Sequence, residues 1–395
     1  MIHRTPRLAT LLSAGLSALA ALATAPAAAQ TQGVSKNEIV IATIQDLSGP
    51  VAAYGKAARN GIQLRVDEIN EQGGIHGRKI KLLVEDNGYD PKRAVLAAQK
   101  LVNQDKVFLI ASHIGTPMNN AAMPVMFDKG VINFMPLSAG REMFEPPHKL
   151  KFASVASYFD TMRMNVPKLY KEKNAKQACT LYQDDDYGLE VVRGAEAGLK
   201  DIGVTMGEKT TYKRGATDFS SQVARLKASN CDFLVLGTII RETIGTIGTA
   251  RKMGWNPNFV GSSAAYTDLI HKLGGKAMDG LYATMTVQHP YLDEASQPIR
   301  FWATKYKTKF NEDPTVFSVY GYDIIDAFIR AAQKAGKNLT TDSFIKAMDT
   351  MVIEPDMFGS PKVTYTATKR LGNDLSRLSQ IVDGRWKVAS DYIKP

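Results

Sequence analysis

The residues best suited to chemistry are Gly115, Thr116 and Pro117, lying between an apolar run, Val107 to Ala111, and a helix-permissive stretch, Met118 to Phe127, that Pro124 interrupts. Glycine permits close backbone approach, threonine is a favoured N-cap, and proline suits the first helical position because its missing N–H would be unpaired there anyway. A strand running into a helix at this point leaves free amide N–H groups at the positive end of the helix dipole, with a hydroxyl beside them. That arrangement suits a carboxylate. It also describes an ordinary capped helix, so the rest of the chain has to decide between them.

Other constellations offer less. Asp184, Asp185 and Asp186 are three consecutive carboxylates that point in different directions and lack the alternating acids and glycine of a calcium loop; a strand end followed by a helix start explains them better. Gly73 to Gly77 (GGIHG) has the composition of a phosphate loop, but it follows a helix and precedes a strand, the reverse of the nucleotide-binding order. His113 is a candidate ligand contact with no nucleophile or carboxylate assignable to it, and a packed core histidine is its default reading. There is no G-x-S-x-G elbow, strand-led G-x-G-x-x-G or metal cluster, so a secreted hydrolase or dehydrogenase has no support and no cofactor is implied.

The elements that must position the Gly-Thr-Pro turn alternate regularly. Strands are expected over Ile39 to Gln45, Ile80 to Asp86, Val107 to His113 and Val131 to Leu137, with helices over Ala52 to Gln72 and Pro91 to Gln104 between them. Near-continuous apolar strands separated by helices predict a parallel sheet covered on both faces. The series then restarts with strands over Cys179 to Asp185, Val204 to Tyr212 and Phe233 to Gly237, and helices over Gly188 to Ile202, Ser220 to Ser229 and Thr243 to Met253. Lys151 to Asp160 crosses between the two units, Ala283 to Pro290 returns to the first, where helices Ile299 to Phe310 and Ser318 to Lys334 are added, and the tail from Pro355 crosses a third time. The expected fold class is α/β, with two doubly wound parallel-sheet lobes joined by a three-segment hinge: residues 37–154 plus 288–355 in one lobe, 155–287 plus 356–395 in the other. A cleft between such sheets has strand C-termini and helix N-termini on both walls.

Length, leader and charge fit that picture. The chain of 395 residues is long enough for two cores. Residues 1–29 read as a secretory signal peptide: Arg4 and Arg7 are its basic region, Leu8 to Leu22 its short apolar core, and Ala27 to Ala29 its cleavage site. The net charge of +10 is spread without a run of five basic residues and without a nucleic-acid motif, so a solvated basic surface, and no nucleic-acid partner, is expected. Cys179 and Cys231 each sit in an apolar, strand-like segment. Adjacent strands would allow a disulfide, but two inert buried thiols are the favoured expectation.

Leu47 to Pro91, Asp184 to Lys200 and Thr217 to Gly237 resemble, in the same order, segments of the leucine/isoleucine/valine-binding-protein family of periplasmic solute receptors, whose type I fold the two-lobed reading matches. The resemblance covers nearly the whole chain after the leader. It implies a monomeric, non-enzymatic receptor in the periplasm that hands a small molecule to the permease and ATPase of an ABC importer; a sensor subunit on the same fold is the rival within reach. By position it implies that Thr116 supplies the hydroxyl for the ligand's carboxylate, with Gly115 before it and Leu137, Ser138 and Ala139 completing the grip. Tyr54 and, from the second lobe, Tyr187 match aromatic walls.

Two departures from the family pattern bear on the ligand. Members that bind amino acids place an acid after the strand that here ends in NFVG, to neutralise the α-ammonium; the position falls on Ser263, with no acid from Phe259 to Tyr266. An aromatic after FLVLG becomes Ile239. An ammonium left unpaired in a closed cleft costs several kcal/mol. The expected ligand is therefore a carboxylate without an α-amino group, aromatic or aliphatic given Ile114, Leu137 and Ile239, with Arg241 either a positive charge at the cleft or a solvated arginine on the following helix. A branched-chain amino acid or amide is the alternative.

Overall fold

The structure is a computed structural model that describes residues 1–3 and 31–395; the expected signal peptide therefore lies outside the described residues, apart from Met1 to His3. The alternation becomes β1 (Glu38–Gln45), α1 (Ala52–Glu71), β2 (Lys79–Asp86), α2 (Pro91–Asn103), β3 (Leu109–Ala111), α3 (Thr116–Asp128), β4 (Ile132–Phe134) and β5 (Lys151–Phe152). The five strands form a parallel sheet in the order β2-β1-β3-β4-β5. Its strand order reverses between β1 and β3, and in open α/β sheets such a switch point is where a crevice opens beyond the strand C-termini.

The second sheet begins after α4 (Tyr158–Glu172) with β6 (Ala178–Gln183), α5 (Asp186–Asp201), β7 (Lys209–Tyr212), α6 (Ser220–Ala228), β8 (Phe233–Gly237), α7 (Ile240–Lys252), β9 (Asn258–Gly261), α8 (Asp268–Gly274) and β10 (Tyr282–Met285). Helices α9 (Gln297–Phe310), α10 (Val316–Ala335) and α11 (Thr341–Met348) follow, then the short pair β11 (Val352–Ile353) and β12 (Val363–Thr364), and finally β13 (Arg377–Val382) and β14 (Arg385–Val388). The seven-stranded order is β14-β13-β10-β9-β8-β6-β7, with the last two strands added antiparallel. Here the order reverses between β6 and β8.

α10, expected only as an addition to the first unit, packs against α1 through two glycines. A Cβ at Gly61 would stand 1.9 Å from the Ser318 carbonyl oxygen, and one at Gly321 2.2 Å from that of Ala58. Phe108, Phe134, Phe328 and Phe344 then join α10 and α11 to the first sheet's core. The tail departs from expectation: Val363 and Tyr365 pack in this same core, and the Tyr365 hydroxyl donates to the Ala153 carbonyl at 3.0 Å. Only from β13 onward does the chain join the second sheet.

The thiols correct the favoured expectation. Cys179 and Cys231 form a disulfide with Cα atoms 5.9 Å apart. β6 and β8 are direct neighbours, Cys179 pairs in register with Leu234, and Cys231 lies just ahead of β8. Sequence alone could not supply that adjacency, because β7 intervenes along the chain but lies at the sheet's edge.

Candidate functional site

The turn after β3 is built differently from the expected cap. Gly115, not Thr116, is the N-cap, with φ of 94°, a conformation glycine adopts without strain; Thr116 and Pro117 are the first two helical residues. The Thr116 side chain is thus free of capping and turns across to Ser138, with their hydroxyl oxygens 2.8 Å apart. Both are buried, at 1% and 4% exposure. The Gly115 amide donates to the Leu137 carbonyl, the Gly140 amide donates to Ser138 Oγ, and the Tyr158 amide donates to the Ala139 carbonyl, so the turns after β3 and β4 are locked side by side. The first amides of α3 have no carbonyl of their own helix to bond.

The first turn of each lobe repeats one device. After β1, Asp46 accepts the amides of Ser48, Gly49 and Val51, and α1 starts close enough that a Cβ at Gly55 would stand 2.0 Å from the Asp46 carbonyl oxygen. After β6, Asp185 accepts the amides of Tyr187 and Gly188, and a Cβ at Gly188 would stand 2.0 Å from the Gln183 carbonyl oxygen. In both, the residue before that glycine is a tyrosine whose ring reaches the cleft. Tyr54 stacks on Phe317 with centroids 3.8 Å apart and donates its hydroxyl across the cleft to the Ala264 carbonyl at 2.6 Å. Tyr187 donates to the Thr238 carbonyl, shares a 2.9 Å hydrogen bond with Ser262, and meets Tyr158 edge-on.

These groups line one cavity between the sheets. Its walls include Gly115, Thr116, Leu137, Ser138 and Ala139 on one side, with Tyr54 at the same end. Tyr187, Ile239 and Ser263 close the other side. Burial pushes the hydroxyls of Tyr54 and Tyr187 well above the usual tyrosine range and that of Tyr158 to about 12, so all three stay neutral hydrogen-bonding groups.

Two expected residues are not on the cavity wall. His113 is fully buried beneath the turn, and neither ring nitrogen has a hydrogen-bond partner among the described residues. Burial holds it down to about 3, so it is a neutral core residue. Arg241 is 45% exposed and its guanidinium lies 3.7 Å from Glu242, on the first turn of α7. Its position leads to solvent because Ile239, two residues earlier, takes the inward place. Residues that sequence reasoning missed include Tyr89, Tyr158, Phe317 and Tyr320, all on the wall. Tyr89 stands in a left-handed turn (φ 56°) fixed by its amide bonding Asn87 Oδ1; the Asn-Gly-Tyr-Asp run marks a turn but not its direction.

The lobes also meet directly. Arg141, from the turn after β4, contacts Glu190 of α5 at 2.8 and 3.0 Å, and Asn120 of α3 donates to Asp186 at 2.9 Å.

A family model described as periplasmic binding protein matches residues 38–385. This chain belongs to the periplasmic binding protein family. It is 26% identical over 339 residues to the leucine-, isoleucine-, valine-, threonine-, and alanine-binding protein of Pseudomonas aeruginosa, covering 84% of this chain and 86% of that one. It is 27% identical over 337 residues to the leucine-specific-binding protein of Salmonella typhimurium, covering 82% and 88%. Among solved structures, this periplasmic binding protein superposes on the fatty acid ABC transporter substrate-binding protein from Thermomonospora curvata with a TM-score of 0.84 at 23% identity, covering 93% and 95% of the two chains. A leucine binding protein from Thermotoga maritima gives 0.79 at 19%, covering 90% and 99%. These likenesses establish the type I two-lobed fold.

Proposed function

We propose that this periplasmic binding protein captures a small carboxylate without an α-amino group, aromatic or aliphatic, and presents the closed form to the permease and ATPase of an ABC importer. One observation carries the reading: a buried Thr116–Ser138 hydroxyl pair at the start of α3 lines the same cavity as Ser263, the position where an amino-acid receptor needs an acid. The amides and hydroxyls hold the anion, and Ile114, Leu137 and Ile239 with the tyrosines enclose an apolar body. Ligand shifts the population from open to closed lobes by bonding to both. In this reading the first lobe comprises residues 37–154 and 288–355 together with the β12 segment packed on it, and the last crossing falls between Gly372 and Arg377. The N-terminal segment directs export to the periplasm and the receptor works as a monomer.

A second reading, a branched-chain amino acid receptor, has one observation in its favour besides the names of its relatives. Glu242 is 1% exposed, its carboxylate oxygens have no hydrogen-bond partner among the described residues, and burial pushes its carboxyl above the usual range. It is not among the residues that line the cavity, whereas Ser263 is. A thermal-shift screen of the purified protein against amino acids, aliphatic acids and aromatic acids separates the two, since a ligand of the folded state raises its apparent stability. Stabilisation by leucine or valine with none by amine-free acids reverses the choice.

A further inference from the structure

The cavity does not end at the socket. From Leu137 it continues past Met135 and Pro136 and beneath the hinge, where Val155, Val287 and Asn373 represent all three crossing segments on its wall. The Asn373 side chain donates to the Ser154 carbonyl at 2.9 Å, tying the first and third crossings together along its edge. Beyond the hinge it runs between α10 and the β11–β12 pair, lined by Ile324, Ala327, Ile353 and Val363. Asp323, Asp356 and Ser360 stand at the far end. The Ser360 hydroxyl donates to Asp356 at 2.7 Å, and the amide of Phe358 bonds the same carboxylate at 2.8 Å. Burial and the adjacent Asp356 push the Asp323 carboxyl well above the usual range.

Resting on the carboxylate reading, we propose that this second arm is part of the ligand site and that the natural ligand is an elongated monocarboxylate: its carboxylate sits at Thr116 and Ser138, and an apolar chain or ring body passes under the hinge into the arm between α10 and β11–β12. The arm's apolar walls repay each methylene that enters. The acids at the end select against a second carboxylate on the ligand, since two like charges facing one another in a buried site are costly. They tolerate a terminal methyl, ring edge or hydroxyl, the last by donating a hydrogen bond to a carboxyl oxygen at that end. Because the body touches all three crossings, it fills the gap about which the lobes must turn.

The test is calorimetric titration of the wild-type protein with butanoate, hexanoate, octanoate and octanedioate. Each methylene buried in apolar surroundings strengthens binding roughly fourfold, so octanoate is expected to bind more than tenfold tighter than butanoate, and octanedioate more weakly than octanoate. Ala327→Met, which narrows the arm, and Ile353→Trp, at its partly exposed rim, are expected to weaken octanoate about tenfold and leave butanoate unchanged. Equal affinity for butanoate and octanoate overturns the proposal, as does an equal loss for both acids, or no loss for either, in the two variants. In those cases the short-acid socket stands. If no acid of any length binds, the carboxylate reading itself fails, and the second arm with it.

Discussion

The hydroxyls of Thr116 and Ser138 lie 2.8 Å apart and almost fully buried, although twenty-two residues separate them and they belong to different turns. Each turn supplies one hydroxyl because β3 and β4 are neighbours, and α3 begins directly behind the pair. Thr116→Val keeps the shape and removes one donor, leaving Ser138 without its partner. Carboxylate binding is expected to weaken by about 1 to 3 kcal/mol with little change in melting temperature. Titration calorimetry on the variant checks this; unchanged affinity removes the pair from the site.

Arg141→Ala tests the contact that joins the lobes. Glu190 is 2% exposed in this structure, and Arg141, one-third exposed, covers it while lying over the Phe159 ring at 3.9 Å. Without the guanidinium, closing buries a carboxylate left with only the 3.4 Å contact from the residue 141 amide, whereas opening hydrates it. Discounted for the exposure of Arg141, the cost of closing is about 1 to 2 kcal/mol, seen as roughly tenfold weaker ligand binding and a larger radius of gyration by solution scattering. Equal affinity in variant and wild type rejects the latch.

The acid side of the stability profile belongs in part to His113. Its folded value of about 3 lies below the unfolded value near 6.5, so between those limits the unfolded chain binds a proton that the folded chain does not. Its contribution is complete above about pH 6.5 and is lost as the pH falls toward 3. His113→Leu is expected to flatten denaturant-measured stability between about pH 6.5 and 4, and to leave ligand affinity at pH 7.5 unchanged. A parallel loss of affinity would return His113 to the binding site.

Reduction of Cys179–Cys231, which closes a span of 52 residues, is expected to lower stability by about 2 to 4 kcal/mol without abolishing ligand binding, since neither cysteine borders the cavity. Thermal melts with and without a reductant, each with titration, measure both halves.

Much of the fold was legible because local rules and the global architecture agree. α1 and α2 begin where expected and end within one residue of expectation, since apolar periodicity defines them. β7 was read as starting at Val204 but starts at Lys209: the Val204 amide still closes α5 by bonding the Leu199 carbonyl, and Gly207 passes tightly beside Gln177. At the site, Thr116, Ser138, Tyr54 and Tyr187 follow strand C-termini, the one place where chain order predicts convergence. Phe317 and Tyr320 come from a helix that begins more than 200 residues after α1 ends, and their arrival depends on α10 packing against α1 through Gly61 and Gly321. His113 takes its default reading as a packed core histidine, because adjacency in sequence to Thr116 does not place a side chain in the cavity.

Competitive titration of the wild-type protein with leucine and with the isosteric amine-free acid 4-methylpentanoate tests the central claim most directly, because the two ligands differ only by the α-ammonium. With no carboxylate opposite the socket at Ser263, 4-methylpentanoate is expected to bind at least tenfold tighter than leucine, a difference of about 1.4 kcal/mol or more from the unpaired charge. Leucine binding as tightly as the acid, or tighter, contradicts the account.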